Sequence, residues 1–94
     1  MALRFEWDSR KARENLTKHG VSFREATTVF GDPLSVTVSD PDHSAWETRF
    51  IDLGVSRRGR VLVVSYVERG DNIRIISARP ASRREQQKYE EKTS

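Results

Sequence analysis

Residues 60–80, RVLVVSYVERGDNIRIISARP, decide the fold. The run 60–68 is apolar at nearly every position, as a strand is when both its faces are covered, so it belongs at the centre of a sheet. RGD (69–71) is a short glycine-containing turn and NIRIISAR (72–79) a second apolar strand, so the pair reads as an antiparallel hairpin. The second strand also carries Arg74 and Arg79, two cations that never lose their charge. Either each sits at a strand end, head in water and paired with a neighbouring acid, or the two help line a phosphate pocket. Side chains alternate along a regular strand, which sends 74 and 79 to opposite faces. They converge only if Arg79 lies past the last ladder bond, as the following Pro80 suggests.

Working outward, ETRFIDLGVS (47–56) is a further strand, joined to 60–68 by the turn RRG (57–59). LSVTVS (34–39) alternates like a strand with one exposed face, and LRFEW (3–7) like a short one. Asp8 is placed to cap a helix over SRKARENLTKH (9–19) that ends at Gly20. Its apolar face is thin, with Ala12 and Leu16 one turn apart and Asn15 and His19 flanking them, so packing must hold it. Ser22 and Glu25 form a capping box for the next helix, Val21 can staple against Ala26, and Phe23, Ala26, Val29 and Phe30 make one stripe. Gly31 and Asp32-Pro33 stop that helix. Ser82 and Glu85 repeat the box for a last helix, RREQQKYEEK, that is polar except for Tyr89. The expected plan is β-α-α-β-β-β-β-α: an α+β fold, a small antiparallel or mixed sheet with two N-terminal helices and one C-terminal helix, as a single domain over residues 1–94.

Ninety-four residues build one small core and no deep internal cavity. The chain has no cysteine, which excludes disulfides and thiolate metal sites, and His19 and His43 show no metal-ligand spacing. A phosphate-binding G-x-x-x-x-G-K-[ST] loop, a G-x-G-x-x-G turn and a G-x-S-x-G elbow are all absent, so neither a cofactor nor a metal is expected. No apolar run approaches membrane-crossing length, and the charged opening MALRFEWDSRKAR is unlike a signal peptide, so a cytoplasmic protein is expected. Charge is uneven: residues 1–56 hold 7 Lys/Arg against 9 Asp/Glu, and residues 57–94 hold 10 against 5. The basic half implies either an anionic partner or simply a solvated basic surface.

Arginine, lysine, glutamate, histidine and tyrosine are the groups needed to cut RNA without a metal. The 2′-OH must lose a proton as it attacks phosphorus, the phosphorane needs cationic donors, and the leaving 5′-oxygen needs a proton. Arginine suits the second task because its planar fork bonds two phosphate oxygens at once.

The stretches W-D (7–8), KHGVSF (18–23), F-x-DP (30–33) and RIISAR-x-A-x-RRE (74–85) resemble the BrnT family of type II toxins, a likeness that runs over about residues 5 to 91. The resemblance implies a RelE-like fold and a metal-independent ribonuclease toxin that inhibits translation and arrests growth. It also implies a ribbon-helix-helix antitoxin, through which the complex would bind its own operator DNA. Pro80 departs from the pattern, where a basic residue is expected beside Arg79.

Each candidate residue has two readings. Arg49, Arg74 and Arg79 stabilise the phosphorane, or they are rim cations paired with acids. Glu47 and Arg49, two residues apart on one face, are a base and a phosphate clamp, or part of a cross-strand charge pair worth roughly 0.2–1 kcal/mol. Glu68 is a candidate partner for Arg74. His19 is a proton donor or acceptor near neutral pH, or a helix-end residue favoured by the dipole. Lys11, two turns before it, and Arg83, Arg84 and Lys88 on the last helix track the RNA backbone, or form solvated basic faces. His43 reads as solvated, Trp7 as a core anchor and Trp46 as a partner contact. The main expectation is an endoribonuclease toxin with Glu47 or His19 handling protons. The alternative is a non-catalytic RNA- or protein-binding module within a DNA-binding autorepressor complex.

Overall fold

The computed structural model describes residues 3–40 and 48–93. In chain order the elements are β1 (Arg4–Glu6), α1 (Ser9–His19), α2 (Phe23–Thr27), a 3-10 turn (Thr28–Gly31), β2 (Val36–Ser39), β3 (Arg49–Val55), β4 (Val61–Arg69), β5 (Asn72–Pro80) and α3 (Arg83–Thr93). The sheet order is β1-β5-β4-β3-β2, with β1 parallel to β5 and every other pair antiparallel. This is the expected α+β plan with a mixed sheet, and β4 does lie at its centre.

Parity divides the sheet. Leu62, Val64 and Tyr66 of β4 and Ile73, Ile75 and Ala78 of β5 point to one face, where they form a single buried cluster with Val21, Phe23, Ala26 and Val29. We call this the helix face. An aromatic ladder crosses it: Phe5 packs edge-on to Phe30 and Phe30 edge-on to Tyr66, while Phe50 stacks on Tyr66. Trp7 packs edge-on to Phe23 at a 6.0 Å centroid separation, as a core anchor does.

The helix boundaries follow local chemistry. Asp8 accepts the Lys11 backbone N–H at 2.9 Å, and α1 ends in left-handed Gly20 (φ 69°). Ser22 accepts from the Glu25 N–H at 3.0 Å. The second helix is shorter than its stripe predicts, because after Thr27 the chain tightens into the 3-10 turn. That turn brings Val29 and Asp32 against β3 at Gly54, where a Cβ would lie 2.9 Å from Val29 Cγ1 and from Ser35 Cβ.

The seat of α1 differs from expectation. Leu16 is 53 % exposed, and Asn15 is the buried residue. Its Nδ2 donates to the Ala78 carbonyl at 2.8 Å and the Val21 carbonyl at 2.9 Å, and its Oδ1 accepts the Ala78 N–H at 3.1 Å. Strand β1 covers β5 only over residues 72–74. Farther along, the open edge of β5 is closed by this amide, which supplies the donor and acceptor that another strand would supply.

Candidate functional site

Partnered positions in a ladder face the same way. One row on the face away from α1 and α2 therefore reads Glu6–Arg74–Val67–Arg49 across β1, β5, β4 and β3. Arg74 and Arg49 flank a fully buried Val67, two strand spacings or about 10 Å apart at the backbone. Arg79 is opposite Val63 on the same face, roughly 13 Å farther along. Between the two rows lie Ser77, Ser65, Ile51 and Val38.

Arg74 and Arg79 share this face because β5 bulges. Ser65 pairs with Ser77 and Tyr66 with Ile75, so Ile76 is an extra residue that reverses parity. The expected route, with Arg79 past the end of the ladder, is not the one used. Arg79 and Pro80 are both inside the ladder, Pro80 opposite Leu62.

Both arginines are engaged. Arg74 Nη1 donates to Glu6 Oε2 at 2.8 Å, and Asn72 donates to the other Glu6 oxygen at 3.0 Å. The hydrogen bond from Arg74, then that from Asn72, holds the Glu6 carboxyl below its ordinary value. Glu68, the candidate partner for Arg74, instead pairs with Ile73 on the helix face. Arg79 bonds Glu85 fork to fork, Nη1 to Oε1 and Nη2 to Oε2, both at 2.8 Å. That pairing, helped by the Ser82 N–H, pulls Glu85 down to about 2 and raises Arg79. Each cation is thus tied to a separate acid.

The other candidates scatter. Arg49 is half-buried in its row. Glu47, His43 and Trp46 lie outside the described residues. His19 is half-buried at the end of α1, behind the sheet from the arginines. Lys11 is exposed on the first turn of α1, near the rim of the arginine row: the Asp8 carboxyl is held low first by the Lys11 backbone N–H and also by the Lys11 and Arg74 charges. Arg83, Arg84 and Lys88 are exposed on α3. Lys88 lines a groove of about 610 Å³ with Glu85, Glu91 and Lys92, over a floor of Val36, Val38, Ile51, Leu53 and Val63.

Three residues passed over in the sequence meet on the helix face. Asp52 is 3 % exposed and accepts from Thr37 Oγ1 at 2.5 Å. Burial pushes Asp52 up, and burial with the nearby Asp52 charge pushes Tyr66 up to about 12. An acid inside the strand FIDLGV is the sequence signal that could have marked the spot. Glu6 was visible only as one charge in an alternating strand; its partner required the parallel pairing of β1 with β5.

The pieces of sequence that resemble a toxin family are mostly joints of this fold. Asp32, from F-x-DP, accepts from Leu34 N at 2.9 Å, Val55 N at 2.9 Å and Tyr89 Oη at 2.5 Å, and so ties the 3-10 turn, β3 and α3 together. A family model described as "Ribonuclease toxin, BrnT, of type II toxin-antitoxin system" matches residues 7–85, from Trp7 through Glu85. The chain belongs to this family. Its kind is a ribonuclease toxin with an RNA target and an antitoxin partner. The crystal structure of the Brucella abortus ribonuclease toxin, BrnT, matches with a TM-score of 0.65 at 21 % identity, covering 87 % of this chain and 100 % of that one, and supports the fold. No curated protein matches the sequence. Among the described residues, no helix is long and apolar enough to cross a membrane.

Proposed function

We propose that this family member is a metal-independent endoribonuclease of the cytoplasm that inhibits translation by cutting RNA and arrests growth. The observation that carries this reading is the row in which Arg49 and Arg74 flank the buried Val67 on the sheet face away from α1 and α2. Arginines whose backbones are about 10 Å apart have side chains long enough to engage neighbouring phosphates or to grip one between them. Attack of the 2′-OH needs no metal if those cations stabilise the phosphorane. Glu47, two residues from Arg49, is the base we assign. His19 is a weaker candidate, since α1 lies behind the sheet. Arg79 joins only by sharing or releasing Glu85. Lys11, Arg83, Arg84 and Lys88 would track the RNA backbone. The silencing partner would be a ribbon-helix-helix antitoxin, through which the complex binds its operator.

The test is digestion of RNA by purified protein in EDTA, with Arg49, Arg74 and Arg79 replaced singly by alanine. Continued cutting by the wild-type chain and loss in the Arg49 and Arg74 variants is the expected result. Strict dependence on added Mg²⁺ contradicts the mechanism. The carboxylates bound to Arg74 and Arg79 favour a second reading, a non-catalytic module in an autorepressor complex. Expression without the partner separates the two: growth arrest supports the enzyme, harmless expression the module.

A further inference from the structure

We propose that Glu6 and Glu85 are internal stand-ins for RNA phosphate, carboxylates that occupy Arg74 and Arg79 until an RNA backbone displaces them. This inference rests on the reading above, that these arginines face RNA.

Three features carry it. The first is geometry. Glu85 meets Arg79 through two parallel 2.8 Å bonds, the two-point contact that a phosphate makes with the same fork. Glu6 meets Arg74 through one such bond. The second is access. The side chains are 28 % (Arg74), 34 % (Glu6), 44 % (Arg79) and 31 % (Glu85) exposed, so a ligand reaches each pair without unfolding anything. The third is a separate anchor for each acid. Glu6 keeps the 3.0 Å bond from Asn72, and Glu85 keeps the 2.8 Å bond from the Ser82 N–H. When an arginine turns to phosphate, its carboxylate therefore stays close by and repels the new anion. The two acids come from β1 and α3, at opposite ends of the chain, yet both bind β5 on one face of the sheet.

Two consequences follow. The free protein presents paired, locally neutral arginines, so its attraction for polyanions is weaker than a net charge of +3 and an arginine-rich β5 suggest. RNA must also compete for its cations, which weakens ground-state binding without touching the reacting atoms. Were these pairs only ties holding β1 and α3 in place, or only devices to orient the arginines, removing the negative charge would leave RNA binding unchanged or impair it.

Glu6→Gln and Glu85→Gln separate these outcomes. Glutamine keeps the shape and still accepts from Asn72 or from the Ser82 N–H, so the capping box survives. The measurement is the Kd of the purified chain for a short single-stranded RNA blocked by 2′-O-methylation, alongside KM and kcat on the cleavable RNA. Each variant should bind about two- to fivefold more tightly at low salt, the size of an exposed ion pair. The gain should fade as salt rises, and KM should fall with kcat unchanged. Unchanged or weaker binding in both variants overturns the proposal. Arg74→Ala is the control: if it weakens binding while neither glutamine variant tightens it, the stand-in idea fails and the RNA-facing reading survives. If Arg74→Ala binds and cuts like wild type, the RNA-facing reading itself fails.

Discussion

On the helix face of the sheet, Val21, Ala26, Val29, Leu62, Val64 and Ala78 are fully buried, and Phe23 and Ile75 nearly so. Polar groups that reach this side have partners built for them. Asn15 closes the β5 edge, and the buried Glu25 takes Ser56 Oγ at 2.7 Å together with two nitrogens of Arg60. On the opposite face, Val67 and Val63 are also buried, but Arg74 and Arg79 stay half-exposed around them and the groove beside α3 leaves Val38 52 % exposed. One strand, β5, serves both faces, and a single bulge at Ile76 decides which of its residues goes where. If the proposed RNA site is right, stability and RNA chemistry are divided between the two sides of one thin sheet. Changes on the helix face should alter folding, and changes on the other should alter what the folded protein does.

The largest expected effect is on the helix face. Phe23→Ala removes a side chain that is 2 % exposed and should cost about 3–5 kcal/mol, read from the urea midpoint. An equally large loss from Arg74→Ala would erase the contrast between the faces. Asn15→Ala strips Ala78 of its partners and should cost about 1–3 kcal/mol by the same measurement. Asp52→Asn should act in the opposite direction. A carboxyl whose folded value lies above its unfolded one makes the protein less stable as pH rises through that interval, so the uncharged variant should melt higher at pH 7 and the gain should vanish at acid pH.

The far face supplies the smaller effects. Glu85 is held at about 2 in the folded chain, below its ordinary 4.5. The stability it adds is complete above pH 4.5 and fades as pH falls towards 2, and Glu85→Gln should flatten the thermal midpoint over that window. Arg74→Ala should change stability by no more than about 1 kcal/mol, because its ion pair is partly exposed.

The sequence carried the plan of the fold in local signals: alternation in β2, the nearly continuous apolar run of β4, Asp8 and Ser22 as caps, and Gly20 as a stop. What it lacked were facts that exist only between elements. Parity correctly separates 74 from 79 on a regular strand, and only the register with β4 reveals the extra residue at Ile76. Asn15 looked like a polar flank beside Leu16, because its partners stand 6 and 63 residues away. Arg49 and Arg74 were legible as cations suited to phosphate, but the carboxylate on Arg74 depends on a parallel pairing that no local pattern announces. Family membership through residue 85 was legible for a related reason: its motif residues Asp8, Gly20 and Ser22 are joints whose roles are local, whereas the reach of Asp32 to Val55 and Tyr89 was not visible in the sequence.

The most direct test compares single-turnover cleavage of one RNA in EDTA by Arg49→Ala, Arg74→Ala and Asn15→Ala, each rate divided by the folded fraction. Each arginine variant should cut about 100-fold more slowly or worse, the scale of losing one preorganised donor to the transition state, and Asn15→Ala should show no fall. Arginine variants that cut as fast as the wild-type chain would contradict the proposed mechanism.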